Sequence, residues 1–175
     1  MERALVIFES MFGNTRTIAE AVAEGLSSRF VTDLAEVSTA PPRIAQDVSL
    51  VVLGGPTHAF GLTRARTRQD AATQADGPLV SPAGGLREWL EAAERPGAGV
   101  GAAAFDTRID KPRVPGSAAR AAEKRLRRLG FRVVAAAESF YVTGTKGPLV
   151  PGEVERARLW AEQVAARWTP LVTTG

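Results

Sequence analysis

Cysteine is absent from the 175-residue chain. That excludes disulfide bridges, thiolate metal ligands and thiol nucleophiles. Histidine occurs once, at His58, so a general acid or base titrating near neutrality is this residue or none. Neither a second histidine nor a carboxylate cluster marks a metal site. Aromatic residues are scarce at 6%, with Tyr141 the single tyrosine. No apolar run approaches the ~20 residues of a membrane-spanning helix, and Met1-Glu2-Arg3 enters a strand directly, with no signal-peptide layout. These absences predict a cytoplasmic protein that neither crosses a membrane nor holds a structural metal.

What is present suits a globular chain. Hydrophobic residues make up 45% and charged residues 23%, and the length allows one domain, residues 1–175, with a continuous core. The net charge is +3, which steers an acidic partner or an anionic small molecule toward the protein. Arg120, Lys124, Arg125, Arg127 and Arg128 fall in one helix. They read as mixed around it, a solvated basic face without the interleaved aromatics of a nucleic-acid site.

The chain is organised around residues 5–18, LVIFESMFGNTRTI. An apolar run suited to a strand buried on both faces leads into a six-residue turn, Ser10 to Thr15. After it Ile18, Ala21, Val22, Gly25 and Leu26 recur at helical spacing. A strand, tight loop and helix in that order point unpaired backbone amides and the positive helix end at one spot. Ser10 and Thr15 add hydroxyls, and Gly13 permits a left-handed backbone. The predicted guest is an anion, most simply a phosphate.

Ser10-Met11-Phe12-Gly13-Asn14-Thr15 resembles the phosphate-binding loop of flavodoxins, Ser/Thr-x-Thr-Gly-x-Thr, with Phe12 where many members carry Thr. The Ser-Met-x-Gly form is also similar to the flavodoxin modules of flavodiiron proteins. A second loop, Gly54-Gly55-Pro56-Thr57-His58-Ala59-Phe60-Gly61-Leu62, follows a nearly unbroken apolar strand over 48–53. Its Gly-x-Pro-Thr start resembles flavodiiron modules and flavodoxin-like quinone reductases. Ligands of open parallel sheets are expected at this edge.

The alternation of elements predicts an α/β fold with helices on both sides of a parallel sheet. Strands are expected at 3–8, 30–37, 48–53, 99–105 and 131–137. Helices are expected at 14–28, 85–94, 117–129 and 152–168, with a helical segment lacking a good apolar stripe at 63–74. Residues 109–116 read as proline-interrupted and 138–147 as a third ligand-edge loop. The region 61–95 exceeds a minimal connection and reads as a lid or a surface excursion. The resemblance implies a doubly wound, five-stranded sheet of order 2-1-3-4-5 in a three-layer αβα arrangement, of the short-chain flavodoxin type.

By the same resemblance the cofactor is FMN. Its phosphate is assigned to Ser10, Met11, Phe12, Gly13, Asn14 and Thr15. Its ring is assigned to Pro56, Thr57, His58, Ala59, Phe60 and Gly61 and to the fourth-strand loop, Phe105, Asp106, Thr107 and Arg108. That loop departs from the family's Gly-x-Gly-x-x-Tyr pattern, and Tyr141 lies after the fifth strand, so aromatic stacking on the ring is reduced, each lost partner removing about 1 kcal/mol. Arg108 reads as a surface charge or as a group favouring a reduced, anionic flavin. Glu9 and Asp106 read as loop hydrogen-bonders, and His58 as a solvated loop residue or a proton donor beside the ring. Three functions follow: an electron-transfer flavoprotein serving a redox partner protein, an FMN-dependent oxidoreductase reducing a quinone-like planar acceptor, and a binding module of this fold that has lost its flavin. No catalytic residue is assigned.

Overall fold

The computed structural model describes residues 1–112 and 115–172. Strands β1 (Glu2–Phe8), β2 (Phe30–Glu36), β3 (Val48–Pro56), β4 (Gly101–Ile109), β5 (Arg132–Val133) and β6 (Glu138–Val142) form one parallel sheet. Its order is β2-β1-β3-β4-β5, and β6 also pairs with β4. The helices are α1 (Asn14–Leu26), α2 (Ala65–Gln74), α3 (Leu86–Ala92), α4 (Ala118–Leu129) and α5 (Glu153–Arg167).

Both faces of the central strands are apolar because helices cover both. On one face α1 and α5 pack over Val6, Phe8, Leu50, Val52 and Phe105. On the other, α3 and α4 pack over Ile7, Val51, Leu53, Ala102 and Ala104. Helices α1 and α5 approach closely at Gly25, where a Cβ would stand 2.3 Å from the Arg158 carbonyl oxygen. Helix α4 begins at Ser117, whose hydroxyl accepts from the Arg120 amide, and ends at Gly130 in a left-handed conformation; both caps follow the sequence signals.

Three local features differ from the sequence reading. Strand β4 continues to Ile109, so Asp106, Thr107 and Arg108 lie within it rather than in a loop. The fifth strand is split: β5 pairs with the start of β4 and β6 with its end, and the register slips between Ala102↔Val133 and Phe105↔Glu138. Glu138 to Val142 is therefore strand, and the ligand-edge loop begins at Thr143. Polar Glu138 is accommodated by Arg156, 2.8 Å away, which is why composition there reads as loop. The charges of α4 are also segregated, not mixed: Ala118, Ala119, Ala122 and Leu126 are buried, while Arg120, Lys124, Arg127 and Arg128 are exposed. The expectation for residues 109–116 falls partly on 113 and 114, which lie outside the described residues. Among the described residues no helix is long and apolar enough to cross a membrane.

Candidate functional site

The carboxyl ends of β1, β3 and β4 meet at the start of α1. Gly13, the residue before the helix, has φ 101°, a value costly for any residue with a Cβ. Its amide donates to Ser10 Oγ at 3.1 Å, and the Ser10 amide donates to Ser81 Oγ at 3.0 Å. Among the described residues, the amides of Met11, Phe12, Asn14 and Thr15 meet no protein acceptor. Open amides at a helix start, backed by the helix dipole, form a cradle for an anion.

This cradle opens into a cleft that is partly exposed to solvent. It is lined by Ser10, Met11, Phe12, Asn14, Thr15, Pro56, Thr57, His58, Thr107 and Arg108 from the residues singled out in the sequence. Ile109, Val142 and Thr145 also line it, and sequence reasoning missed them individually. The third ligand-edge loop, 138–147, contains Val142 and Thr145, whereas Ile109 lies at the end of β4 and carries no such signal. The loop is drawn in where Asn14 Nδ2 donates to the Lys146 carbonyl at 3.1 Å and Gly147 sits against the Asn14 side chain.

Several assigned residues stand elsewhere. Phe105 points into the core, 6.1 Å from both Phe140 and Trp160 in edge-to-face contact; it is not a wall of the cleft. Asp106, its neighbour along the strand, faces the opposite side. There its Oδ2 accepts from Thr57 Oγ1 at 3.0 Å, from the Ala119 amide at 3.0 Å and from the Ser117 hydroxyl. Thr57 Oγ1 also accepts from the Ala118 amide at 3.0 Å. The Thr57 and Asp106 side chains thus anchor the first turn of α4. Ala59, Phe60 and Gly61 complete a tight turn beyond His58. His58 and Gly61 exchange backbone hydrogen bonds of 2.8 and 3.0 Å, and Ala59 and Phe60 take φ 44° and 73°. Such a turn ordinarily favours Asn-Gly. Here it presents Phe60 outward, 59% exposed.

The excursion between β3 and α3 braces the loop rather than standing apart from it. The Val80 and Ser81 amides donate to the Met11 and Ser10 carbonyls at 3.1 and 2.8 Å. Glu9, fully buried next to the loop, accepts from Thr63 Oγ1 at 2.5 Å and from the Leu86 amide at 2.8 Å. Arg68 donates to Thr63 Oγ1 at 2.8 Å and pairs with Glu88. Burial raises the Glu9 carboxyl above its ordinary value, opposed by these hydrogen bonds and by Arg68. Burial, aided by the positive Arg68, lowers the His58 imidazole, so His58 is neutral at pH 7. Glu9 is a hydrogen-bonding anchor in this structure, and among the described residues no group of His, Asp or Glu side chains is arranged to hold a metal.

Fold and site together define a doubly wound α/β protein with an anion cradle after its first strand, placed where such sheets bind ligands. The family model for flavodoxin matches residues 6–167. The chain belongs to the flavodoxin family. Oxidised flavodoxin 1 from Bacillus cereus superposes with a TM-score of 0.68 at 18% identity, covering 96% of this chain and 100% of that one. Flavodoxin 2 from the same organism gives 0.68 at 20% identity, covering 94% and 99%. A flavodiiron core from Synechocystis sp. gives 0.60 at 16% identity, covering 94% of this chain and 35% of that one. At these identities the likeness establishes a shared fold. No curated protein sequence matches the chain significantly.

Proposed function

We propose that the protein binds FMN in this cleft and transfers electrons through it. The observation that carries the reading is the set of open amides at Met11, Phe12, Asn14 and Thr15, which suits the several acceptor oxygens and the negative charge of a phosphate monoester. FMN supplies the redox chemistry, and the protein supplies binding, orientation and surrounding charge. The chain's residues have separable tasks. The loop amides and the Ser10 hydroxyl hold the phosphate. Met11, Phe12, Ile109 and Val142 shield the cleft with apolar groups. Val80 and Ser81 keep the loop in shape without occupying its open amides. Phe12, in the place of the family's common threonine, leaves one hydroxyl fewer, and Phe105 supplies no stacking. The cradle therefore carries a larger share of the affinity than the ring contacts do.

Thermal unfolding with and without FMN tests the reading. A ligand bound only by the folded protein adds about 2.7 kcal/mol at a hundred times its dissociation constant, so the melting temperature is expected to rise. No rise under saturating FMN contradicts FMN binding.

A further inference from the structure

The rim of the cleft continues into a positively charged surface. Arg87 donates to the Thr63 and Leu62 carbonyls at 3.0 and 2.9 Å, which fixes its guanidinium just beyond the turn that carries Phe60. Arg64 and Arg125 lie near enough to act on it: burial first, then these two like charges, lower the Arg87 pKa. The solvent side of α4 extends the surface with Arg120, Lys124 and Arg128, all exposed. The acidic groups nearby are few. Glu88 pairs with Arg68. Glu123 lies 4.0 Å from Arg127 and accepts from the Ala137 amide. Glu91 alone adds to Glu88 in opposing the charges around Arg87.

Gly116, the residue before the Ser117 cap of α4, touches the turn itself. A Cβ on Gly116 would stand 2.1 Å from the Phe60 carbonyl oxygen, so the basic helix and the exposed aromatic share one continuous surface. Crowding like charges is unfavourable in the free protein and is relieved when opposite charge arrives. Guanidinium groups pair with carboxylates in a bidentate fork, and an exposed ring beside them suits the drier centre of a protein contact.

We propose that this face, Arg64, Arg87 and Arg125 with the outer side of α4, docks an acidic redox protein, with Phe60 at the contact's centre. The inference rests on the FMN reading above and names the partner class for that site. One electron leaves the partner's centre, which is oxidised, and enters the flavin, which is reduced.

The test uses the FMN-loaded protein and a reduced [2Fe–2S] ferredoxin of net negative charge, mixed by stopped flow. The rate constant for flavin reduction is expected to fall as ionic strength rises. Arg64→Glu with Arg125→Glu is expected to lower it about tenfold at low salt and to leave reduction by the uncharged 5-deazariboflavin radical unchanged. The milder Arg64→Gln with Arg125→Gln keeps a smaller effect of the same sign. Equal rates for native and variant proteins, or a rate that rises with salt, overturn the proposal. So does tight binding of a short DNA duplex that the Glu variant loses while its ferredoxin rate stays native. A protein that takes up no FMN at all overturns the FMN reading and this inference with it; one that takes up FMN but shows no charge dependence overturns the inference alone.

Discussion

The hydroxyls of Thr15 and Thr107 meet at 2.7 Å, joining the first turn of α1 to the end of β4. Both residues are buried. The contact sets the loop's helix against the strand that forms the far wall of the cleft. It also holds the Thr15 hydroxyl within the cradle at a fixed place.

Thr15→Val removes one partner and leaves the Thr107 hydroxyl buried without its mate. The expected cost is about 1–3 kcal/mol of unfolding free energy, measured by urea titration. Thr15→Val combined with Thr107→Val removes both hydroxyls together and is expected to recover part of that loss. A double variant less stable than the single one by the full cost again contradicts a pairwise contact.

Glu9 gives the stability a pH dependence of definite sign. Its folded-state pKa lies above the ordinary value of 4.5, so the native state holds the proton more tightly than the unfolded chain. The group's contribution is fully present below the unfolded pKa and is lost as pH rises through the raised one. Relative to Glu9→Gln, the native protein is expected to lose stability over that rise. Unfolding titrations at a series of pH values check this, and parallel curves for the two proteins contradict the buried, raised carboxyl.

Much of this site is legible in the sequence, because β1, its loop and α1 are specified locally. A branched apolar run, Gly13, and helically spaced Ile18, Val22 and Leu26 each require their observed conformation. The fourth strand was harder to read. Asp106 and Thr107 look like the end of a strand because they are polar, yet both are buried with partners far along the chain, Ser117, Thr57 and Thr15. Once the strand continues, alternation sends Phe105 to the α5 side and Asp106 to the α4 side. The split between β5 and β6 depends likewise on Arg156 and Glu123, which no local pattern announces. The Ser81 contacts to the loop pair residues 71 positions apart and carry no local signal.

The turn at Ala59 and Phe60 holds two residues with side chains at positive φ. Such positions cost on the order of 1 kcal/mol or more each. Ala59→Asn with Phe60→Gly is expected to stabilise the protein by about 1 kcal/mol, read as a raised urea midpoint. Unchanged or lower stability contradicts a strained turn and assigns the Phe60 ring a packing role that outweighs the relief.

The central claim is that the loop after β1 holds a phosphate, and the comparison of FMN with riboflavin isolates it, since the two ligands share a ring and differ in that group. Fluorescence titration of the flavin-free protein measures both dissociation constants. Hydrogen bonds to a charged group contribute about 1.5–3 kcal/mol each, so FMN is expected to bind at least about tenfold more tightly than riboflavin, with Ser10→Ala narrowing the gap. Equal affinities for the two ligands contradict the account.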